Sequence, residues 1–538
     1  MAATNRGKKQ EKLPSWAQRG KLRPAHVPGG PLETARTIIS GKWDHSPREL
    51  LSAGRYGLDL VEHLVSRRIN AVCLTWSAGF SHAAEEVQRE VLASLMPFLK
   101  KKKIRAIASI SICAGYAGEL AKSNPESSEW FYSGVEVKED SGSGFKKANL
   151  SHRGWRDFIA QKVCAALDAG FDGLFFDDSL EGETASVASL LRELRDVARA
   201  HRGPDAEEIL FYCNSYGIAV LSEIGNQHSC TAFWQPGFSP DGSFDSGLVF
   251  LKQVFEAGGR DRAYSGGFNV RQRNADQKAN CLYMAELLAA GGTCQELEAP
   301  LPYQQFLAEN AALFGVMEPV NSIAVLANDC SEFTSAGSVP LLLLRRNIQF
   351  DLIPISCLER FNLRKYKLIS ALGLLSLPAN DESLKGFVQN GGTLLVSAGV
   401  SGLSFNSVLD AAAAERIECP EGEGRIVVYP AETNAGAVDS PVLGDCKRFG
   451  GETAIDVEGP DGVLAVLWGR GTRRWVHVLN YRTDPAEATI MLPGCGGRKL
   501  LIHSPDETPP GMSVLETGTA CATFLLSNIQ TYAIVEVI

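Results

Sequence analysis

The sequence lacks several features that would assign it to a particular class of protein. No run of about 20 apolar residues is present, so the sequence predicts no membrane-spanning helix and no membrane partner. The thirteen cysteines occur singly, without a CxxC pair, which is unlike zinc sites and disulfide frameworks. We therefore expect reduced thiols and no metal site, as is typical of intracellular proteins.

The amino-terminal residues lack the apolar stretch of a signal peptide. Lysines and arginines recur there as far as Arg23. We therefore expect residues 1–30 to form a basic, flexible tail and the protein to be cytoplasmic.

The charge balance is mildly acidic. The chain of 538 residues has 53 Lys and Arg against 62 Asp and Glu, a net charge of −9. This disfavours nucleic acid as a partner, because phosphate binding requires a basic surface. Hydrophobic residues make up 45% and charged residues 21%, so the chain is expected to fold, into about three or four domains.

Strand-like apolar segments alternate with amphipathic helical segments in residues 31–318. Eight strands are predicted, at residues 37–40, 70–76, 104–112, 173–177, 209–214, 232–235, 263–266 and 293–296. Eight such units are typical of a (β/α)8 TIM barrel, an α/β fold. An open doubly wound sheet would carry a glycine-rich phosphate loop after its first strand, and the sequence has none there.

The clearest helix and the longest connection of this region lie next to each other. Apolar residues recur every four positions at Trp155, Ile159, Val163 and Leu167, after a candidate N-cap at Ser151. Before them, residues 114–150 form a long connection that contains Tyr116, Trp130, Phe131 and Tyr132. We expect this aromatic segment to be a binding loop.

Two further domains are predicted after the barrel. Residues 319–415 alternate strands and helices, with strands at 322–326, 350–355, 367–369, 374–378 and 391–396. This pattern predicts a small flavodoxin-like α/β domain. Residues 416–538 carry short strands between glycine- and proline-rich turns, including 425–429, and predict a C-terminal β-sandwich.

The candidate functional residues are those that follow the predicted barrel strands, because barrel enzymes react at the C-terminal ends of their strands. They are Trp43, Asp44, Trp76, Asp177, Asp178, Asn214, Tyr216, Trp234, Gln235, Phe268 and Glu296. Carboxylates can cleave a glycosidic bond, aromatic rings stack on sugar faces and amides bind hydroxyls. The sequence thus predicts a carbohydrate or glycoconjugate substrate.

Asp177 and Glu296 are the preferred catalytic carboxylates. Asp177 follows Phe175 on one strand face, whereas Asp178 points to the other face and is expected to brace the site or cap the next helix. Glu296, on the last strand, is the preferred acid, in competition with Glu181, Glu183, Asp241 and Asp245. Structural alternatives remain: Asp177 could be a helix N-cap, and Trp76 and Trp234 could pack in the barrel.

Three stretches resemble glycoside hydrolases. Residues 148–177, ending in AGFDGLFFD, resemble a barrel segment of the hypothetical glycosyl hydrolases and the α-galactosidase-like clan, where an aspartate ending the fourth strand is the nucleophile. NGGTLLVS, at 390–397, is similar to the β-galactosidase trimerisation domain, and residues 475–481 are similar to a strand of the C-terminal sandwich of the same enzymes. The resemblance implies a retaining glycosidase with Asp177 as nucleophile, without a cofactor, and a homo-oligomer formed through the middle domain.

The fourth and seventh strands depart from the β-galactosidase pattern. Those enzymes have an Asn-Glu pair at the fourth strand and a glutamate at the seventh, whereas this chain has Asp177-Asp178 and Gly266-Gly267-Phe268. The departure favours an aspartate-nucleophile enzyme of another specificity. The alternatives are a carbohydrate-binding pseudoenzyme, a transglycosidase, or another barrel enzyme such as a lyase or isomerase.

Overall fold

The chain folds as two compact units. The first comprises Met1–Thr231, Asp261–Asn269 and Gly292–Ala311, and the second comprises Ala232–Arg260, Val270–Gly291 and Ala312–Ile538. The computed structural model describes residues 14–18, 20–27, 57–136, 145–177, 184–203, 209–214, 227–231, 237–238, 244–258, 263–267, 277–295, 297, 299–315, 317–328, 339–377, 382–402, 415–431, 433, 440–451, 454–518 and 520–538.

The described strands and helices are numbered in chain order. The strands are β1 (Pro24–Val27), β2 (Ala71–Ser77), β3 (Arg105–Ser111), β4 (Ala114–Tyr116), β5 (Phe131–Glu136), β6 (Phe145–Ala148), β7 (Gly173–Asp177), β8 (Leu210–Asn214), β9 (Gln227–Thr231), β10 (Gly237–Phe238), β11 (Phe244–Asp245), β12 (Ala263–Gly267), β13 (Thr293–Cys294), β14 (Glu318–Pro319), β15 (Ile323–Ala327), β16 (Phe350–Pro354), β17 (Leu368–Ser370), β18 (Thr393–Ser397), β19 (Ile417–Glu421), β20 (Gly424–Tyr429), β21 (Asp456–Glu458), β22 (Val463–Arg470), β23 (Arg473–Asn480), β24 (Ala486–Pro493), β25 (Leu500–His503), β26 (Gly511–Thr517), β27 (Cys521–Ile529) and β28 (Tyr532–Val537). The helices are α1 (Leu58–Ser66), α2 (Glu86–Lys101), α3 (Ala117–Ser123), α4 (Arg153–Asp168), α5 (Thr184–Arg202), α6 (Leu248–Gly258), α7 (Gln277–Ala289), α8 (Leu301–Glu309), α9 (Val339–Arg345), α10 (Glu382–Gln389) and α11 (Pro441–Phe449). None of these described helices is both long enough and apolar enough to cross a bilayer.

The first unit contains an eight-stranded sheet in the order β1-β2-β3-β7-β8-β9-β12-β13. All neighbouring strands are parallel. Their order in the sheet is their order in the chain, so a crossover connects each pair. One backbone hydrogen bond, 2.7 Å from His26 N to Gln295 O, connects β1 with the residue that follows β13.

Six of the eight predicted strands are confirmed to within two residues at either end, namely β2, β3, β7, β8, β12 and β13. The first and sixth strands of the sheet are instead β1 and β9. The segments predicted in their place, 37–40 and 232–235, lie outside the described residues. β9 has the sequence QHSCT, which lacks the apolar run that identified the other strands.

β1 lies within the segment that the charge pattern predicts to be a flexible tail, residues 1–30. Leu22 and Ala25 are buried there, and the backbone N–H of Arg23 donates to Asn70 Oδ1 at 2.7 Å. Residues 24–27 of the segment are therefore part of the sheet. The prediction failed because the apolar stretch is short and is flanked by cations that dominate the local pattern.

Helix α4 confirms the predicted apolar stripe. Its four stripe residues are at most 4% exposed: Trp155, Ile159, Val163 and Leu167. The cap is one residue later than predicted, because His152 Nδ1, and not the side chain of Ser151, accepts a hydrogen bond from Gly154 N (3.1 Å).

The segment predicted to be an aromatic binding loop forms a small sheet. β4, β6 and β5 pair antiparallel in that order. The Tyr116 ring stacks on Phe80 with centroids 4.0 Å apart, and Trp130 and Phe131 meet Trp155 at 6.3 and 5.5 Å. These aromatic side chains are buried and stabilise the first unit by packing, because each finds an apolar partner on a neighbouring element.

The middle part of the second unit is a six-stranded sheet in the order β16-β15-β17-β18-β20-β19. β20 pairs in parallel with β18, and only β19 is antiparallel. The sequence analysis assigns 425–429 to the sandwich, beyond a boundary at 415, and the pairing corrects this: the strand continues the middle sheet. An apolar run shows that a strand is buried but not which sheet it joins. The predicted strand 374–378 is reduced to one isolated bridge at Ser376.

The C-terminal part of the second unit contains two antiparallel sheets. Their orders are β14-β22-β23-β28-β25 and β21-β24-β27-β26. Both contribute to one hydrophobic cluster, for example Val476 and Val478 from β23 and Ile490 and Leu492 from β24. Two sheets with a shared core are the packing of a β-sandwich, as predicted for this part of the chain.

Candidate functional site

The carboxyl ends of the first unit's parallel strands lie along one edge of the sheet. Asp177 and Asn214 are the last residues of neighbouring strands β7 and β8. Asp177 lies beside Ser111 of β3, and Asn214 lies beside Ser229 of β9. The backbone of two predicted functional residues is thus at the edge where parallel α/β sheets bind their ligands.

One face of four neighbouring strands is apolar toward their amino ends and, on β2 and β3, becomes polar toward that edge. Its apolar half is a buried cluster that includes Ala71 and Cys73 of β2, Ile107 of β3, Phe175 of β7 and Leu210 of β8. With the two-residue alternation of strands, the same face continues through Ser109 and Ser111 of β3 and through Thr75 of β2, which lies beside Ser109. The carboxyl half of this face therefore carries hydroxyl groups in place of hydrocarbon, and this composition suits a polar ligand.

Trp76, a predicted substrate-binding residue, lies on the opposite face of β2. Its side chain is 2% exposed and belongs to the cluster that packs against the helices. The indole Nε1 donates to Lys162 O at 3.0 Å, and the ring meets Phe171 edge-on at 5.3 Å. The structure therefore favours packing, the alternative that the sequence left open for Trp76.

A buried carboxylate holds the loop that follows β2. Glu85 Oε1 accepts a hydrogen bond from Ser77 Oγ at 2.8 Å. It also accepts bonds from the backbone N–H groups of Ala78 (3.1 Å) and Phe80 (3.2 Å). Glu85 Oε2 pairs with Lys162 Nζ of α4, and neither side chain is exposed. Lys162 Nζ also donates to Phe80 O at 3.2 Å, so both charges serve the same loop.

Burial and mutual attraction act in opposite directions on the pKa values of this pair. Burial raises the pKa of Glu85 and lowers the pKa of Lys162, while their mutual attraction opposes both changes.

A second carboxylate holds the next residue of the loop, since Glu119 accepts hydrogen bonds from Ser81 N (2.7 Å) and Ser81 Oγ (2.6 Å). The groups that hold the loop all face protein partners, so we assign them a supporting role at the polar edge.

Glu85 and Lys162 were missed by sequence analysis, although one signal existed. Lys162 stands three residues after Ile159 on the buried face of α4, where a lysine interrupts an apolar stripe. A buried lysine requires a carboxylate partner. The partner could not be identified, because Glu85 lies 77 residues earlier in the chain.

Most of the predicted functional residues lie outside the described residues. These are Trp43, Asp44, Asp178, Tyr216, Trp234, Gln235, Phe268 and Glu296, together with the competing carboxylates Glu181, Glu183 and Asp241. Asp245 is in β11, in the second unit. Across the described ranges, no three His, Cys, Asp or Glu residues are grouped so as to hold a metal ion.

Buried carboxylates of the second unit are engaged in structural contacts. Glu286 Oε1 accepts hydrogen bonds from Ser246 Oγ at 2.5 Å and from the Tyr481 hydroxyl at 2.6 Å. Asp351 accepts from the Tyr366 hydroxyl at 2.5 Å. Each carboxylate links separate segments of the unit, which is the usual role of a buried polar group with protein partners.

The chain is similar in structure to several glycoside hydrolases. The α-L-fucosidase isoenzyme 2 from Paenibacillus thiaminolyticus matches with a TM-score of 0.67 at 13% identity, covering 96% of this chain and 99% of that one. The β-galactosidase from Bacillus circulans sp. alkalophilus matches with a TM-score of 0.61 at 11% identity, covering 97% and 99%. The cold-adapted β-galactosidase from Rahnella sp. R3 matches with a TM-score of 0.59 at 12% identity, covering 98% and 100%.

Sequence comparison adds no relative to these. No protein-family model matches the chain, and no curated protein matches it. At identities of 11–13% the structural similarity shows the fold. Over nearly its whole length, the chain has the fold of these glycoside hydrolases.

Proposed function

We propose that the chain is a glycoside hydrolase that acts at the carboxyl edge of the first unit's sheet. The observation that carries the proposal is the change from hydrocarbon to hydroxyl groups along one face of β2 and β3, at the edge where β7 ends in Asp177 and β8 ends in Asn214. The fold that the chain shares with an α-L-fucosidase and with β-galactosidases supports the same activity.

The eight-stranded sheet is proposed to close as a (β/α)8 barrel. The hydrogen bond from His26 N to Gln295 O supports closure, because it joins the two ends of the sheet order. In a closed barrel, the polar ends of all strands converge on one mouth. That convergence lets carboxylates from different strands act on a single bond.

Asp177 is the proposed nucleophile and Glu296 the proposed acid of a retaining reaction. The Asp177 carboxylate attacks C1 of the sugar while the bond from C1 to the leaving oxygen breaks, and Glu296 gives that oxygen its proton. Water then attacks C1 of the glycosyl ester and passes a proton to Glu296, which releases the sugar and restores both carboxyl groups. Asp178 is assigned to orient the site.

The remaining candidates are proposed to bind the sugar. Aromatic rings would stack on its C–H faces, and the carboxylate and amides would bind its hydroxyl groups. These residues are Trp43, Asp44, Asn214, Tyr216, Trp234, Gln235 and Phe268.

Hydrolysis of a panel of nitrophenyl glycosides tests the activity. We expect turnover of at least one member, and the panel should include β-D-galactosides and α-L-fucosides because similar structures are named for those activities. The configuration of the first-formed product, followed by NMR, tests retention. Binding of a sugar without turnover of any glycoside would contradict the proposal and favour the pseudoenzyme.

Replacing Glu296 with glutamine tests the acid. A general acid contributes roughly 10²- to 10⁴-fold when the leaving group needs a proton. The variant should therefore slow alkyl glycosides by that factor, whereas nitrophenyl glycosides, which depart without protonation, should slow much less. Equal slowing of both substrate types would transfer the role to Glu181, Glu183, Asp241 or Asp245.

A further inference from the structure

Two helices of the first unit end in turns that hold a basic residue in the left-handed conformation. Arg68, after α1, has φ +58°, and Lys103, after α2, has φ +59°. In each turn the following N–H returns to a carbonyl five residues earlier, at 3.0 Å after α1 and 2.9 Å after α2. These are Schellman turns, whose left-handed position strongly favours glycine.

The same position is glycine or asparagine in comparable turns of this chain. Gly170 after α4, Asn347 after α9 and Gly391 after α10 all have positive φ and the same return hydrogen bond, at 2.9–3.2 Å. A β-carbon is strained in this conformation, so arginine and lysine are unfavourable for the turn itself. Both turns therefore place a charged side chain where their own geometry favours glycine.

Arg68 and Lys103 belong to a concentrated basic surface at the amino ends of β1, β2 and β3. This basic face comprises Lys21, Arg23, Arg67, Arg68, Lys100, Lys101, Lys102, Lys103 and Arg105. Arg23 Nε donates to Arg68 O at 2.7 Å, which places the segments before β1 and β2 side by side. In the described part of the chain, carboxylates pair here with Lys102 (Glu62, 3.4 Å) and with Arg105 (Asp172, 2.7 Å). Cations thus predominate on this face of a chain whose net charge is −9.

The amino-terminal segment adds to this charge in sequence. The residues before Pro14 include four cations, Arg6, Lys8, Lys9 and Lys12, and a single carboxylate. The described chain begins next to the basic face, because the Arg105 guanidinium lies over the Trp16 ring, 5.5 Å from its centroid. The first described residues therefore lie next to the basic face.

Apolar side chains are exposed among these cations. Val65 is 37% exposed and stands three residues before Arg68, and Phe98 is 44% exposed and stands three residues before Lys101. Phe98 and Lys101 are both in α2, where this spacing puts them on the same side of the helix, and Val65 lies in the last turn of α1, next to the turn that holds Arg68. Cations beside exposed apolar groups are typical of surfaces that bind the interface of an anionic bilayer.

We propose that the basic face docks the protein on a membrane surface rich in anionic phospholipid. The cations contact the headgroups, and Phe98 and Val65 reach the boundary of the acyl chains. Duplex nucleic acid and acidic polysaccharide would satisfy the cations but offer Phe98 no hydrocarbon. The face lies at the amino edge of the sheet, opposite the carboxyl edge at which β7 and β8 end. This revises the expectation that no membrane is a partner, which rested on the lack of a spanning segment.

Vesicle co-sedimentation of the full chain tests the proposal. The wild type should bind vesicles of phosphatidylcholine with phosphatidylserine, bind phosphatidylcholine alone far less, and be released by salt. Each cation near an anionic surface contributes a factor of about five, so R68G/K103G should bind about 30-fold more weakly. Its melting temperature should be equal or higher, because glycine removes the strain.

Three further variants test which property of the basic face is responsible for vesicle binding. R68Q/K103Q keeps the left-handed strain and removes the charges, so it should lose as much binding as the glycine pair. K447Q/K499Q removes the same charge from exposed lysines of the second unit and should bind as the wild type does. F98S keeps every cation and should weaken binding without changing its salt dependence.

Three results would overturn the proposal. They are the absence of vesicle binding at low salt, equal binding to vesicles with and without phosphatidylserine, and equal loss of binding in K447Q/K499Q and R68Q/K103Q. Tighter binding to duplex DNA or to heparin than to the vesicles would assign the face to that polyanion instead. Glycoside turnover is measured in a separate assay, so the result for membrane binding does not depend on the result for hydrolysis.

Discussion

The Asp177→Asn variant is expected to fold normally and to lose glycoside turnover by at least about 10³-fold, or about 4 kcal/mol of transition-state stabilisation. Asparagine has the same shape but cannot attack C1 as a carboxylate does. Asp177 ends β7 at the carboxyl edge, beside Ser111. The measurement is kcat/KM with the best nitrophenyl glycoside of the panel, with circular dichroism as the check on folding.

Asp172 provides a matched control at the opposite end of the same strand. Its Oδ2 accepts a hydrogen bond from Ala106 N at 3.0 Å, and its Oδ1 pairs with Arg105 at 2.7 Å. Asp172→Asn should therefore affect stability and leave kcat/KM of the folded protein nearly unchanged. Asp178→Asn should reduce activity less than Asp177→Asn does. Near-normal turnover by folded Asp177→Asn would refute the nucleophile assignment.

Rescue by an external nucleophile tests whether Asp177 is the nucleophile or only positions the substrate. In Asp177→Gly, azide could enter the space of the lost carboxylate and attack an activated glycoside directly. We expect azide to restore part of the turnover and to yield a glycosyl azide of inverted configuration. A variant that stays inactive in azide while still binding sugar would indicate that position 177 only orients the substrate.

The Lys162→Met variant is expected to lower the free energy of unfolding by about 3–5 kcal/mol, because it leaves the fully buried Glu85 without its counter-charge. Methionine fills similar space, so the loss is electrostatic and not a cavity effect. Urea unfolding followed by circular dichroism measures it. Lys122→Met, at an exposed lysine of α3, is the control and should stay within about 0.5 kcal/mol of wild type.

A second substitution should recover most of this loss. In E85Q/K162M, the glutamine oxygen can still accept the bonds from Ser77, Ala78 and Phe80, and no charge remains buried. A double variant no more stable than Lys162→Met would show that the lysine acts through packing. The pair would then not be an electrostatic support of the loop.

The pH dependence of Lys162→Met gives an independent check on the same pair. Burial raises the pKa of Glu85 above its unfolded value. A group shifted in this direction stabilises the fold below its unfolded pKa, and this contribution is lost as the pH rises through the folded pKa. The variant should therefore be closest to wild type in mild acid and furthest from it at neutral pH. A deficit independent of pH would contradict the mechanism.

Local sequence patterns were sufficient to locate a strand or helix when its own apolar residues repeat at the period of that element. β3, β7 and α4 were located within one or two residues because their apolar residues repeat at the strand or helix period. The same pattern predicted a strand that ends at Asp177, and β7 ends there. The order of strands and helices was enough to predict parallel sheets in the first unit and in the middle of the second.

Only the tertiary structure showed the strand pairings and side-chain contacts that join residues distant in sequence. β1 and β9 are strands because neighbouring strands pair with them, although their own residues are polar or flanked by charge. β20 joins the middle sheet through its pairing with β18, which an apolar run cannot specify. Glu85 and Lys162 meet across 77 residues, and the basic face gathers cations from three segments that converge only when β1, β2 and β3 align. In each case the deciding interaction is a long-range contact, and periodicity along the chain carries no information about it.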